Sequence, residues 1–192
     1  MNSDPGERGL TSGKVIVTER LEIIPATRDM IRAALVSSHA LSSSLGATVP
    51  PTWPPTYLDS AALRYSLDRF PEEPEQAPWW LYFVVLSRGE SGRTLIGSVG
   101  YKGPPLADGT IEVGYGIVSD QHRRGYATET VRGLLARAFS APTVRRVIAE
   151  TLPELEGSIG VLRKCGFTLV DGGSEPGVIR FELGRAAYAM RA

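Results

Sequence analysis

Residues 111–129 constrain this chain more than any other stretch. Residues 111–119, IEVGYGIVS, have the β-branched and aromatic content of a strand. Gln121, His122, Arg123, Arg124, Gly125, Tyr126, Ala127, Thr128 and Glu129 follow almost at once. A helical stripe of Val131, Leu134, Leu135, Ala138 and Phe139 then begins. A strand feeding a basic, glycine-containing turn that opens a helix brings free backbone N–H groups and the positive end of the helix dipole to one point. Such a point suits a diphosphate. Read alone, two arginines on a turn are a solvated surface pair. The glycine argues otherwise. At a helix start it costs roughly 0.5–1 kcal/mol against alanine, which is tolerated where a ligand must come close to the backbone. Ala127 is small as well, and a bulky side chain there would block the amides.

Bulk properties exclude several classes of function. The 192 residues suffice for one compact domain. Lysine plus arginine and aspartate plus glutamate both number 21, so no net field draws the chain to nucleic acid or an anionic membrane. Cys165 is the single cysteine, which rules out an internal disulfide and a cysteine-based zinc site. The two histidines, His39 and His122, belong to no ligand-spaced cluster, so no metal is expected. Residues 1–13 are polar and lack the apolar core of a signal peptide; they read as a disordered tail. The longest apolar run, residues 79–86, is too short to span a bilayer. A cytoplasmic protein follows.

Along residues 14–192 the pattern predicts a strand over 15–24 and a helix from Thr27, broken near residue 42 by serines. A stiff proline loop follows at 49–55, then a helix over 56–70. Strands are predicted at 79–87, 94–101 and 110–119, a helix at 125–139 and a strand at 144–150. A helix ending at Gly166 and strands at 167–170 and 178–183 complete the order. No linker divides it. The fold class is α/β (α+β mixed): one central, mostly antiparallel sheet of about seven strands with about four helices on both faces.

Four motifs, in order, give the chain its resemblance. They are Thr18-Glu19-Arg20-Leu21, Glu112-Val113-Gly114-Tyr115, the loop His122-Arg123-Arg124-Gly125-Tyr126-Ala127 continued by Thr128 and Glu129, and residues 158–167, SIGVLRKCGF. Together they resemble the GNAT superfamily of N-acetyltransferases, and within it the ribosomal-protein branch typified by RimJ and RimL. The family's loop reads Gln/Arg-x-x-Gly-x-Gly/Ala, so His122 stands where glutamine or arginine is usual. Leu155 stands where an asparagine is frequent, and Leu162 where many members carry a tyrosine.

The resemblance implies acetyl transfer from acetyl-CoA, a cosubstrate, to a primary amine in a ternary complex. The acceptor is a protein N-terminus or a small-molecule amine. His122, Arg123, Arg124, Gly125, Tyr126, Ala127 and Thr128 would hold the diphosphate. The backbone of Ile117 and Val118 would bond the pantetheine arm, one N–H facing the thioester oxygen. Glu112 is the candidate general base, since an amine must lose a proton before it attacks. Its other reading is a carboxylate paired with a neighbouring arginine. Ser158 matches the serine invoked as acid in that branch; its other reading is a helix-start cap. Trp53, Tyr57, and Trp79 or Trp80 are candidates to line the acceptor site. Their bland role is packing. A non-catalytic acyl-CoA-binding protein of the same fold is the alternative. The resemblance also allows a homodimer.

Overall fold

The computed structural model describes residues 14–56, 58–70, 79–89 and 92–191. The first apolar run splits in two. Thr18 N–H donates to the Leu21 carbonyl at 2.9 Å and Leu21 N–H to Thr18 Oγ1 at 3.1 Å. This tight turn separates β1 (Ile16–Val17) from β2 (Leu21–Pro25). Thr27 caps α1 (Arg28–Val36) by accepting from Met30 N–H. The serines expected to break that helix instead build a second one. Extended Ser37 ends α1, and its hydroxyl accepts from Ala40 N–H to start α2 (Ser38–Leu45). Asp59 caps α3 (Ser60–Arg69) in the same way, so this helix begins later than residue 56.

The rest runs β3 (Leu81–Gly89), β4 (Gly92–Tyr101), β5 (Thr110–Ile117), α4 (Tyr126–Ser140), β6 (Arg146–Thr151), α5 (Glu156–Lys164), β7 (Thr168–Val170), β8 (Ile179–Gly184) and α6 (Arg185–Ala189). The eight strands form one sheet in the order β1-β2-β3-β4-β5-β6-β8-β7, antiparallel except for β5 and β6. The extra strand and helices relative to the sequence expectation come from the Thr18 turn, the Ser37 double cap and α6. Among the described residues no helix is long and apolar enough to cross a membrane.

Two cores sandwich the sheet. Ile31, Leu41 and Leu63 of α1–α3 pack on Phe83, Val85 and Leu95, and this layer reaches no further than β4. On the opposite face α4 lies across the strands. Val131, Leu134, Leu135 and Ala138 bury against Leu21, Ile23, Val113 and Ile117. Gly133 makes the approach close: a Cβ there would stand 2.8 Å from Ile23 Cδ1. Arg185 closes the other end of α4, donating to the carbonyls of Phe139, Ala141 and Val144 at 2.5–2.8 Å. Leu134 is fully buried, and Tyr101 Oη donates to its carbonyl at 2.5 Å. Leu134→Ala therefore lowers stability by roughly 2–5 kcal/mol, read as a fall in the urea midpoint at unchanged m-value.

Candidate active site

β5 is paired unequally on its two edges. With β6 it pairs only at Thr110↔Arg146, Ile111↔Val147 and Glu112↔Ile148. With β4 it pairs as far as Gly97↔Ile117. Beyond Glu112 the two parallel strands part, and residues 113–117 border a gap. The phase of the ladder is fixed at both ends. Lys102 N–H donates to the Glu112 carbonyl at 3.0 Å, and Val118 N–H to the Ile96 carbonyl at 2.8 Å. Alternation then sends the backbone groups of Gly114 and Gly116 to β4 and those of Tyr115 and Ile117 to the gap. Of the two amides expected to serve a ligand, Val118's is engaged with β4. Ile117's faces the gap, joined by Tyr115's, which the sequence reading missed. The Ile117 carbonyl accepts from His122 Nε2 at 2.7 Å, which places the imidazole hydrogen on Nε2.

The loop after β5 turns through two left-handed residues, Arg123 (φ 60°) and Gly125 (φ 84°). Gly125 is the N-cap of α4 and offers no side chain. The first intrahelical bond runs from Glu129 N–H to the Gly125 carbonyl at 3.1 Å, so Tyr126, Ala127 and Thr128 have amides without an intrahelical acceptor. Arg123 and Arg124 are exposed beside them. Tyr126 is buried, its ring 4.5 Å beneath the Arg20 guanidinium. These residues fit a diphosphate: free amides, a helix N-terminus and two cations at one place.

The first and third sequence motifs meet here. Thr18 Oγ1 donates to Glu129 Oε1 at 2.5 Å, Arg20 N–H to the same oxygen at 2.9 Å, and Arg20 Nε to Oε2 at 2.8 Å. Arg20 Nη2 lies 2.7 Å from Oε2, and Nη1 donates to the Arg124 carbonyl at 3.1 Å. Burial alone would push the Glu129 carboxyl up; the bonds from Thr18 and Arg20 and the guanidinium charge hold it below the ordinary glutamate value.

Across the gap, Tyr115 Oη stands 3.2 Å from Ser158 Oγ and 3.2 Å from the Ser158 carbonyl. Ser158 does not cap α5. That place belongs to Leu155, which makes no side-chain bond. Burial pushes the Tyr115 hydroxyl up to about 12, against a smaller downward pull from the Ser158 bond. Cys165, also pushed up by burial, to about 11, contacts the Thr128 carbonyl through Sγ at 3.7 Å. It is a packing thiol, as expected.

The opposite face of β5 carries Glu112, Gly114 and Gly116. Glu112 is ion-paired, to Lys102 rather than to an arginine. Gly114 is exposed, and a Cβ there would meet nothing within 4 Å. Pro55 of the proline loop covers Gly116, and Trp53 in that loop leans on Phe83 with ring centroids 5.9 Å apart. Trp79, expected at the acceptor site, lies on the other side of the sheet from Glu112. Its ring is tilted against Tyr101 with centroids 5.4 Å apart, beneath Arg137 of α4. Trp80 packs against the α1–α3 core with its buried Nε1 lacking a hydrogen-bond partner. Tyr57 lies outside the described residues. Among the described residues, no group of three metal-ligating side chains is placed to hold an ion.

A family model described as an acetyltransferase (GNAT) domain matches residues 20–168, which takes in β5, the loop after it and the start of α4. The chain belongs to the GNAT acetyltransferase family. This GNAT chain is 26% identical over 166 residues to YjdG of Bacillus subtilis, an uncharacterized N-acetyltransferase; the match covers 81% of this chain and 90% of YjdG. Its fold superposes on a Vibrio cholerae protein assigned as a ribosomal-protein-serine acetyltransferase, with a TM-score of 0.62 at 22% identity, covering 91% of this chain and 99% of the other. It also superposes on RimL, a ribosomal-protein α-N-acetyltransferase in complex with coenzyme A, with a TM-score of 0.63 at 16% identity, covering 89% and 98%.

The depressed Glu129 pKa has a signature. Its contribution to stability is complete above the ordinary glutamate value of the unfolded chain and is lost as pH falls through the lowered one. The melting temperature therefore drops on acidification below that ordinary value, and Glu129→Gln flattens this acid limb, as a pH series of melting curves reads directly.

Proposed function

We propose that this GNAT acetyltransferase carries acetyl from acetyl-CoA to the primary amine of a protein N-terminus, in the manner of the RimJ/RimL branch. One observation carries the reading. The open edge of β5 and the uncapped N-terminus of α4 lie at the two ends of one short loop, residues 118–125. Backbone donors for an extended amide-containing arm thus lead into donors for a diphosphate. His122, Arg123, Arg124, Gly125, Tyr126, Ala127 and Thr128 hold the phosphates, and the gap-facing amides of Tyr115 and Ile117 hold the arm. Acetyl-CoA supplies the activated acetyl group as a thioester.

The chain's own groups do the rest. An open-edge amide faces the oxygen on which charge develops, a donor fixed in place before reaction. Glu112 takes the proton from the acceptor's ammonium, which competes with Lys102 for the carboxylate. Ser158 would pass its hydroxyl hydrogen to the departing sulfur and take the Tyr115 hydroxyl hydrogen, 3.2 Å away, in its place, and solvent would return a proton to Tyr115. The bare backbone at Gly114 leaves an extended chain room to lie beside Glu112. RimL, one of the structural neighbours, is a ribosomal-protein α-N-acetyltransferase, and both points favour a protein N-terminus over a small-molecule amine.

Thiol release from acetyl-CoA, measured over a panel of N-terminal peptides and free amines, should show turnover on the peptides. Turnover confined to small amines would overturn the acceptor assignment. On the best acceptor, Glu112→Gln lowers kcat by about 100-fold or more and leaves the dissociation constant for acetyl-CoA near that of the wild type. An unchanged kcat removes Glu112 as base.

Tyr115→Phe keeps the ring and the gap-facing amide and removes only the hydroxyl, with its contacts to Ser158 Oγ and the Ser158 carbonyl. It lowers kcat by about tenfold, and the loss combined with Ser158→Ala is no greater than for Ser158→Ala alone, because the two hydroxyls act as one unit.

A further inference from the structure

The contacts of Arg20 reach beyond the ion pair that first draws notice. Its guanidinium sits against the Arg124–Gly125 peptide: Nη1 donates to the Arg124 carbonyl at 3.1 Å, and a Cβ on Gly125 would stand 3.4 Å from Nη2. In a planar trans peptide the carbonyl and the following N–H point in opposite directions. Holding the Arg124 carbonyl on Arg20 therefore turns the Gly125 N–H away from that guanidinium. Nothing else in that peptide resists a flip. Gly125 sits at φ 84° without a Cβ, and a glycine crosses between backbone regions more readily than any other residue. A flipped peptide would present a carbonyl oxygen to an anion instead of a donor.

The same guanidinium does a second thing. Glu129 lies in the first turn of α4, where a carboxylate suits the helix dipole but opposes a second anion at the same end. Arg20 meets that carboxylate through both Nε and Nη2, at 2.8 and 2.7 Å.

We propose that Arg20 is a positioning residue of the diphosphate loop: it fixes the direction of the Arg124–Gly125 peptide and cancels the charge of Glu129 beside the anion site. This rests on the reading of residues 122–128 as the diphosphate grip.

Calorimetric titration with two probes tests it without an acceptor. CoA carries the diphosphate; pantetheine carries the arm alone. In the wild type CoA binds far more tightly than pantetheine, and equal affinities would overturn the reading of the loop itself, whatever Arg20 does. In Arg20→Met the dissociation constant for CoA rises about tenfold at low ionic strength while that for pantetheine stays put. Arg20→Lys, which keeps the charge but not the forked geometry, falls between. Glu129→Gln keeps acceptors for Thr18 and the Arg20 amide, and it binds CoA as tightly as the wild type or more so. Adding it to Arg20→Met recovers part of the lost affinity. Three results sink the proposal: CoA affinity of Arg20→Met within twofold of the wild type, equal weakening of both probes, or weaker CoA binding in Glu129→Gln. The last two would mark the contact as ordinary scaffolding.

Discussion

The parting of β5 from β6 after Glu112 is the constraint on which the rest of the molecule depends. A strand fifth among eight would ordinarily have both edges satisfied, because a buried backbone N–H or carbonyl without a partner costs roughly 1–3 kcal/mol. Here one edge of residues 113–117 is laddered to β4 and the other borders a gap. The sheet tolerates this because the gap lies where the strand ends and the chain turns into α4. One strand thus delivers two sets of backbone donors, its own edge and the helix N-terminus, with only residues 118–125 between them. Ligand sites outside the carboxyl ends of parallel strands arise for the same reason.

That geometry needs α4 held in place, and the hold comes from far away in the sequence. α4 crosses the sheet to reach β2, three strands from β5. Gly133 allows the crossing to be close, since any larger residue would collide with Ile23. One turn earlier on the helix, Glu129 then falls against Thr18 and Arg20. At the far end Arg185 gathers three carbonyls. The helix is pinned at both termini, which suits an element whose first turn must present amides in fixed directions.

How much of this was legible before the structure depends on the range of the signal. The elements and the loop were readable because periodicity, caps and turn residues act over a few positions. The face of β5 that carries Glu112, Gly114 and Gly116 followed from strand alternation alone. Backbone parity did not, because it needs the ladder's phase, and that is set by partners in β4; hence Val118 was grouped with Ile117 although its amide bonds Ile96. The side of the sheet on which Trp79 lies was not legible for a related reason. It precedes β3 instead of opening it, so strand alternation does not govern it and it reaches Tyr101 on the α4 side. The serines of α2 misled because serine favours caps and helix breaks in equal measure, and here Ser37 performs both acts at one residue. The contact between the motifs at 18–21 and 125–129 spans over a hundred residues, and no local pattern encodes it.

On the proposed reading, the departure at Leu162 moves the hydroxyl of the site to another position. Leu162 is 1% exposed and belongs to the core beneath the sheet, so that position of α5 has no polar function to offer. A hydroxyl for the gap must then come from the helix face nearer β5 or from β5 itself. Ser158 and Tyr115 are those two residues, and they bond each other. Tyr115 joins two tasks in one residue: its amide faces the gap, and its ring carries the hydroxyl across to α5. Donor and hydroxyl are therefore related by the covalent geometry of a single residue in a laddered strand, a more rigid relation than two residues on separate elements would give. Burial of the ring raises the hydroxyl's pKa, which keeps Tyr115 protonated and able to donate throughout the range in which an amine acceptor titrates.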